Sequence, residues 1–249
     1  MKITRYKHNS DFSYTLGMTL TIELLRCRPE TVIQVYISPR AQESEAMQEL
    51  RALCGQRGIP ALESEKAFNI LSPKGNCFVI GVFRKFSAPV RRDCHLVLVN
   101  PSDAGNIGNI MRSCIGFGIT DLAVVRPAVD LFDPKAVRAS MGALFHMHFT
   151  YYDSFAAYMK DFPDHNLYPF MLRRSRPIHE VEFKAPWSLI FGNEAAGLPD
   201  DFADIRPASG ALCSSVLIPI SGNIDSLNLT IAAAIAMYEV TGRPQTVRR

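Results

Sequence analysis

The sequence lacks the features that would remove it from the ordinary globular proteins. It has little charge, since only 20% of its 249 residues are charged, and 27 Lys and Arg against 24 Asp and Glu leave a formal net charge of +3. With 47% hydrophobic residues, this composition excludes a disordered or fibrous chain. The length predicts one or two compact domains that need no disulfide or metal to be stable.

Cysteine is scattered, and long hydrophobic runs are absent. No C-x-x-C pair and no short His and Cys cluster offers zinc ligands among the six cysteines, which are Cys27, Cys54, Cys77, Cys94, Cys114 and Cys213. The longest apolar run, Ile231 to Tyr238, is far shorter than the roughly 18 to 20 residues that span a bilayer. We therefore expect no metal, no membrane segment and a soluble cytoplasmic protein with buried or incidental thiols.

The modest net charge conceals an asymmetry along the chain. Residues 1–93 carry 14 Lys and Arg against 9 Asp and Glu, whereas residues 94–249 carry 13 against 15. A basic part followed by a near-neutral part suits a protein that holds a polyanion with one domain and performs another task with the other. Ordinary surface scatter explains the charges equally well, so charge alone does not decide between the two.

The first part of the chain has the pattern of a small α/β domain. Apolar runs predict strands, and an amphipathic run predicts a helix: strands at Val32–Ile37, Ile59–Leu62 and Cys77–Phe83, and a helix at Glu43–Cys54. Ser87 to Asp93 breaks this pattern with a proline and three charges and is interpreted as a linker. We therefore predict one domain over residues 1–93 and a second over residues 94–249.

The second part predicts a mostly parallel sheet with crossover helices. Buried-type strands are predicted at His95–Val99, Leu122–Val125, His146–Thr150, Ser188–Phe191 and Val216–Ile220. A last helix is predicted over Asp225–Val240, from helical spacing of Leu227, Ile231, Ala234, Ile235 and Tyr238, with Asp225 or Ser226 as its cap and Gly242 and Pro244 after its end.

Polar loops that contain glycine follow three of these strands. They occupy residues 100–109, 192–197 and 221–228. In an open α/β sheet ligands bind beyond the carboxyl ends of the strands, so we expect the three loops to meet at one site. Neither G-x-G-x-x-G nor a P-loop occurs, which argues against dinucleotide or nucleoside triphosphate binding in their usual modes.

Taken in order, the three loops resemble the motifs of one family. Asn106-Ile-Gly-Asn-Ile-Met-Arg112, Gly192-Asn-Glu-Ala-Ala-Gly-Leu198 and Ile218-Pro-Ile-Ser-Gly-Asn-Ile-Asp-Ser-Leu-Asn-Leu-Thr230 are similar to the three motifs of the SpoU, or TrmH-like, RNA ribose 2′-O-methyltransferases of the SPOUT superfamily. The departures are Ile220, where methionine is usual, and Thr230, where serine is common. We expect neither to alter a polar role.

The resemblance implies a fold and a cofactor that periodicity cannot show. The expected fold is an α/β SPOUT domain with a mostly parallel sheet and a deep trefoil knot, an exception to ordinary chain connections. Residues 71–83 are similar, more loosely, to the end of an L30e-like substrate-binding domain. S-adenosylmethionine is expected in the knot, held at Gly192, Ile218 and Leu227, in loops shaped by Asn193, Gly197, Pro219 and Asn228.

The resemblance also implies methyl transfer to a ribose 2′-hydroxyl, with catalytic residues Asn106, Arg112, Glu194, Ser226 and Asn228. Arg112 is the family's catalytic arginine, and because a guanidinium stays protonated we expect it to hold the phosphate beside the target ribose and stabilise negative charge on the oxygen. Glu194 is expected to pair with Arg112 or Asn106. Ser226 is equally well explained as a helix cap.

The expected partners are RNA and a second copy of the chain, which family members contact through the last helix. An L30e-like domain favours rRNA, with tRNA as the alternative; a noncatalytic RNA-binding protein of the same fold is a further alternative. His146 and His148 are interpreted as surface residues on one face of a strand rather than a metal pair. The basic cluster Arg173–Arg176 is either an RNA contact or a solvated loop.

Overall fold

The computed structural model of the protein describes residues 3–72, 77–207 and 209–242. Its strands are β1 (Phe12–Leu16), β2 (Val32–Ile37), β3 (Ala61–Glu63), β4 (Val79–Arg84), β5 (His95–Val99), β6 (Asp121–Val125), β7 (His148–Tyr152), β8 (Asn166–Pro169), β9 (Arg176–Pro177), β10 (Trp187–Phe191) and β11 (Val216–Leu217). Its α-helices are α1 (Met18–Cys27), α2 (Glu45–Arg57), α3 (Glu65–Leu71), α4 (Ala104–Gly116), α5 (Pro134–Ala139), α6 (Phe155–Asp161) and α7 (Leu229–Val240). Short 3-10 helices lie at Pro29–Thr31, Ala143–His146, Ile178–Glu180 and Asp200–Asp204.

The chain divides into two compact units. The first comprises Met1–Phe86 and Asp130–His146, and the second comprises Ser87–Val129 and Met147–Arg249. Asp130–His146, the main part of the segment between β6 and β7, therefore belongs to the first unit, although it lies in the second half of the chain. The prediction of an L30e-like domain over residues 1–93, and of a knotted catalytic domain over residues 94–249, stays a prediction.

The first unit is built on a mixed sheet in the order β1-β4-β2-β3. The β1 and β2 strands pair antiparallel with β4, and β3 pairs parallel with β2. One face of the sheet packs on a cluster that includes Leu25 and Leu50, from α1 and α2. The other packs on a cluster that includes Phe68, from α3. Both faces are covered, which explains why β4 is apolar over nearly its whole length.

The second unit is built on a parallel sheet in the order β7-β6-β5-β10-β8. All four neighbouring pairs are parallel, and β5, β6 and β10 are buried at every residue. This confirms the predicted α/β class with a mostly parallel sheet. Because all five strands run the same way, the loops after β5 and β10 leave the same edge of the sheet, next to each other.

Several predicted elements are confirmed, and others are wrong. The strands at Val32–Ile37 and His95–Val99 have their predicted bounds. The strand predicted at Val216–Ile220 is only two residues long, because after Leu217 the chain leaves its partner β9. The last helix begins at Leu229 rather than Asp225, since Asn228 caps it. The pattern missed β1, α1, α3 and β8. In β1 and α1 the apolar residues are interrupted by buried polar ones, which are Ser13, Thr15 and Thr21.

Two smaller interpretations also differ from the structure. His146 ends a 3-10 helix and only His148 lies in β7, so the two histidines do not share a strand face. Pro244, expected after the last helix, lies outside the described residues, and Gly242 follows the helix with φ +69°. Within the described part of the chain, no helix is long and apolar enough to cross a membrane. A cytoplasmic location stays a prediction.

Candidate active site

The loop after β5 leads into α4 and presents backbone N–H groups. Asp103 caps this helix, and its carboxylate accepts a hydrogen bond from the Asn106 N–H at 2.7 Å. The N–H groups of Ser102 and Asp103 precede the first turn and point away from the helix toward a neighbouring loop. A helix N-terminus with free N–H groups favours an anionic partner.

The loop after β10 leaves no room for a side chain at its first residue. A Cβ on Gly192 would lie 2.1 Å from the Gly197 carbonyl carbon and 2.4 Å from the Leu198 nitrogen. The loop folds back because the Gly197 N–H donates to the Asn193 carbonyl at 2.9 Å, and Gly197 has φ +68°. The Asn193 amide stiffens the loop further by donating to the Asn100 carbonyl and accepting from the N–H groups of Ala195 and Ala196.

Glu194 is the anion that the α4 N-terminus receives. One carboxylate oxygen accepts from the Ser102 N–H at 3.0 Å and hydroxyl at 2.7 Å, and the other from the Asp103 N–H at 3.0 Å and the Asn106 amide at 3.3 Å. Partial burial alone would raise the pKa of Glu194, but these hydrogen bonds, with those from Ser102 foremost, hold it below its ordinary value. The carboxylate stays ionised and joins two loops that lie about 90 residues apart in the chain.

Asn106 connects this pair of loops to the third. Its amide oxygen accepts from the Asn228 amide at 3.3 Å and from the Thr230 hydroxyl at 3.2 Å. Asn228 in turn caps α7 by accepting from the Thr230 N–H at 2.8 Å. Of the two partners expected for Glu194, the structure therefore shows Asn106. Thr230, where serine is common, keeps a hydroxyl, and this hydroxyl helps orient the Asn106 amide.

A cleft of about 380 Å³ lies beside this network. Its lining includes five of the residues expected to contact or shape a cofactor site, namely Gly192, Asn193, Gly197, Ile218 and Leu227, together with Glu194 and Ser226. Phe170 and Phe191 stack in its wall, with ring centroids 4.5 Å apart and planes at 14°. The cleft thus combines an apolar wall with backbone polar groups, which suits a flat heterocycle.

Four expected residues lie outside the lining of the cleft: Asn106, which belongs to the network beside it, and Pro219, Asn228 and Arg112. Pro219 lies between the lining residues Ile218 and Ile220 and is exposed. Asn228 is occupied by the contact with Asn106. Arg112 is exposed on α4, and within the described residues its guanidinium makes no hydrogen bond or ion pair.

Ser226 is exposed and borders the cleft, but it does not cap the helix. The cap is Asn228, two residues later, so the alternative of a purely capping serine is wrong. The arginines of the basic cluster Arg173–Arg176 have different surroundings. Arg173 lines the cleft, whereas Arg174 forms an ion pair with Asp204, and Arg176 donates to the Glu180 carbonyl.

Sequence reasoning missed several residues of this site. Ser102 and Asp103 provide three of the donors to Glu194, yet nothing in their own pattern distinguishes them from an ordinary turn into a helix. Phe170 comes from the segment after β8, a strand that the pattern did not predict. The stacking of Phe170 on Phe191 depends on the order of strands in the sheet, which a single sequence does not display.

Comparisons with known proteins agree with this geometry. The model of the SpoU rRNA Methylase family matches residues 93–238. The chain therefore belongs to the SpoU methylase family.

Individual relatives carry more specific names. A 23S rRNA (uridine(2479)-2′-O)-methyltransferase of Streptomyces viridochromogenes is 34% identical over 64% of this chain and 58% of its own length. A putative tRNA (cytidine(34)-2′-O)-methyltransferase of Listeria innocua is 31% identical over 58% of this chain and 85% of its own length. The chain therefore spans less than two thirds of the length of the Streptomyces relative, and it spans 64% of the length of a further curated relative.

The fold has been seen before in experimental structures. The crystal structure of the SpoU methyltransferase AviRb from Streptomyces viridochromogenes in complex with the cofactor AdoMet superposes with a TM-score of 0.75. The sequences are 25% identical, and the match covers 93% of this chain and 89% of that one.

Proposed function

We propose that the protein transfers a methyl group from S-adenosylmethionine to the 2′-hydroxyl of a specific ribose in RNA. The observation that carries the proposal is the convergence of the three motif loops on Glu194 and Asn106, beside a cleft with an apolar wall. Membership of the SpoU methylase family and the AdoMet complex of AviRb support it.

The residues of the cleft fit S-adenosylmethionine. Gly192 brings the backbone of its loop so close to Gly197 that no side chain intervenes, so main-chain groups face the cleft. Gly192, Ile218 and Leu227 would hold the cofactor, while Asn193 and Gly197 shape one loop and Pro219 and Asn228 the other. Bound there, S-adenosylmethionine supplies a methyl group on a positively charged sulfur.

The polar network would position the RNA. Asn106, fixed by Glu194 on one side and by Asn228 and Thr230 on the other, presents a rigid surface at the start of α4. Arg112, further along α4, has no partner among the described residues and is exposed, so its guanidinium is available to a phosphate. We assign it to holding the phosphate beside the target ribose and stabilising negative charge on the attacking oxygen. Ser226, at the rim, is assigned to substrate contact.

Variants of Arg112 test this assignment. A bidentate role requires the planar guanidinium, so Arg112→Lys should lower the single-turnover rate of methyl transfer by at least about 10-fold while cofactor affinity stays unchanged. The matched control is Arg92→Lys, an exposed arginine outside the site. A near wild-type rate for Arg112→Lys would contradict the bidentate role.

The RNA is proposed to be rRNA, with tRNA as the alternative. The rRNA relative matches 64% of this chain, slightly more than the 58% that the tRNA relative matches. The excess of Lys and Arg in residues 1–93 supports a role for them as the L30e-like RNA-binding domain.

Mapping of 2′-O-methyl groups in RNA from a deletion strain tests the substrate. We expect one rRNA position to lose its methyl group and to regain it with the plasmid-borne gene. Loss of a tRNA mark with rRNA unchanged would overturn the preference for rRNA. If no mark changes and calorimetry detects no S-adenosylmethionine binding at millimolar concentration, the alternative of a noncatalytic RNA-binding protein is favoured.

We also propose that the protein is a homodimer through α7. The side chains of Ile231, Ile235 and Tyr238 recur on one face of this helix and are 52%, 38% and 43% exposed. The buried residues Ala233, Ala236 and Met237 lie on its other side. An exposed apolar stripe along a helix is typical of a face covered by a partner. Light scattering at micromolar concentration should give a dimer mass, and a monomer mass would refute the proposal.

A further inference from the structure

Glu23, Cys27 and His146 form a compact cluster in the first unit, which contains none of the residues assigned to methyl transfer. The Cys27 sulfur lies 3.3 Å from Glu23 Oε1 and 3.4 Å from His146 Nε2, and His146 Nε2 lies 2.7 Å from Glu23 Oε1. Three potential ligand atoms therefore lie within 4.8 Å of one another: a thiol sulfur, an imidazole nitrogen and a carboxylate oxygen.

Local structure explains why they meet. Glu23 and Cys27 are four residues apart on α1, so their side chains lie on the same face of the helix. His146 ends the 3-10 helix at Ala143–His146, which the Arg28 guanidinium ties to α1 by donating to the Phe145 carbonyl at 2.9 Å. Gly142 permits this close approach, because a Cβ there would lie 2.7 Å from the Glu23 side chain.

The arrangement does not suit a nucleophilic cysteine. In a Cys-His-acid relay the imidazole contacts the thiol through one nitrogen and the acid through the other. Here both Cys27 and Glu23 contact the same atom, His146 Nε2. A shared contact of this kind is instead what three ligands of one ion display.

The distances fit a small tetrahedral metal site. Bonds of about 2.3 Å to sulfur and about 2.0 to 2.2 Å to nitrogen and oxygen place tetrahedral ligands roughly 3.3 to 3.6 Å apart. Both distances from the Cys27 sulfur are in or close to this range. The Glu23 to His146 distance is shorter because the two side chains are hydrogen bonded, and a small rotation of the 42% exposed His146 side chain would lengthen it.

We propose that Glu23, Cys27 and His146 bind one zinc ion, with water in the fourth position. A thiolate and an imidazole select a borderline-soft ion and disfavour Mg²⁺ and Ca²⁺, which prefer all-oxygen sites. On binding, the Cys27 S–H bond breaks, its proton passes to solvent, and the thiolate and the Glu23 carboxylate balance the two charges of the ion. The ion would join α1 to the 143–146 helix. The expectation of no metal came from short-range spacing, and His146 lies 119 residues after Cys27.

Metal titration of the tag-free, full-length protein tests the proposal. We expect one Zn²⁺ per chain by competition with a chromophoric chelator, and with Co²⁺ a thiolate-to-metal charge-transfer band together with the visible bands of a tetrahedral site. Cys27→Ser and His146→Gln should each lose at least about 100-fold in affinity, more than is typical for loss of a group that only supports a ligand.

Matched controls come from residues outside the cluster. Cys94→Ser alters another half-buried thiol, and His179→Gln alters another exposed histidine, and both should bind as the wild type does. Circular dichroism checks that each variant is folded, and His146→Gln serves as the test if Cys27→Ser is not. Absence of the charge-transfer band, or equal losses in the controls, would overturn the proposal. Neither outcome bears on methyl transfer, because the titration needs no RNA and no S-adenosylmethionine.

Discussion

Replacement of Gly192 by alanine tests whether the close packing of the loop after β10 matters for cofactor binding. The new Cβ would lie 2.1 Å from the Gly197 carbonyl carbon, 2.2 Å from its oxygen and 2.4 Å from the Leu198 nitrogen. All three atoms are backbone, so no flexible side chain can move aside. Ordinary van der Waals contact begins at about 3.4 Å, and the Gly197 segment must therefore retreat by roughly 1 Å.

The displacement of the Gly197 segment has two costs, one in stability and one in function. The hydrogen bond from the Gly197 N–H to the Asn193 carbonyl is 2.9 Å long and would break or stretch, which together with the overpacking should lower the free energy of unfolding by about 1 to 3 kcal/mol. A displacement of about 1 Å at a binding site can also lower the rate about 100-fold. Because a 100-fold loss of rate corresponds to about 2.7 kcal/mol, the losses of function and of stability should both be measurable and of similar size in free energy.

Calorimetry with S-adenosylmethionine and single-turnover methyl transfer measure the functional loss, and thermal unfolding measures the structural one. The control is Gly116→Ala, at the last residue of α4, where a Cβ has nothing within 4 Å and φ is ordinary. It should leave both unchanged or raise stability slightly. If Gly192→Ala binds the cofactor within a factor of three of the wild type at unchanged stability, the close packing of this loop does not matter for binding.

Three further predictions concern charge and packing. Glu194→Gln should destabilise the protein near neutral pH. Because the pKa of Glu194 is lowered in the folded state, the difference in unfolding free energy between the variant and the wild type should shrink as the pH falls below the ordinary value of 4.5. Chemical denaturation at several pH values measures this difference. The Asp121 side chain is 1% exposed and accepts hydrogen bonds from the Arg91 guanidinium at 2.6 Å and from the Arg91 backbone N–H at 2.7 Å. Asp121→Asn should therefore lower the free energy of unfolding by about 2 kcal/mol, and an unchanged melting temperature would contradict this. Ile235→Asp should raise the dimer dissociation constant at least about 10-fold in sedimentation analysis, whereas Glu239→Asp, on the same helix, should not change it.

Local sequence signals predicted the parts of the fold that local physics determines. Apolar runs buried on both faces identified β2 and β5 with their observed bounds, and loops after β5 and β10 were expected to meet. Among the missed elements, β1 has a mixed pattern: Ser13 and Thr15 are fully buried, because the Ser13 hydroxyl donates to the Phe132 carbonyl and the Thr15 hydroxyl contacts that of Thr21. Burial of a polar residue depends on a partner far along the chain, which periodicity does not reveal.

The same limit applies to the start of α7. Asp225, Ser226 and Asn228 are all good capping residues, so sequence alone offered several starts for the helix. The structure selects Asn228, whose amide also donates to Asn106 on α4. A tertiary contact, made 122 residues away in the chain, thus determines which of the local signals is used.

The Glu194 carboxylate is held in the candidate site without a cationic side chain. Glu194 places one carboxylate against two backbone N–H groups, a hydroxyl and an amide, so its charge is satisfied by dipoles and needs no arginine or lysine. An Arg112–Glu194 ion pair would have occupied the guanidinium that is proposed to hold a phosphate. Because dipoles hold Glu194, Arg112 stays exposed and unpaired within the described residues, and its guanidinium is free for the phosphate contact proposed above.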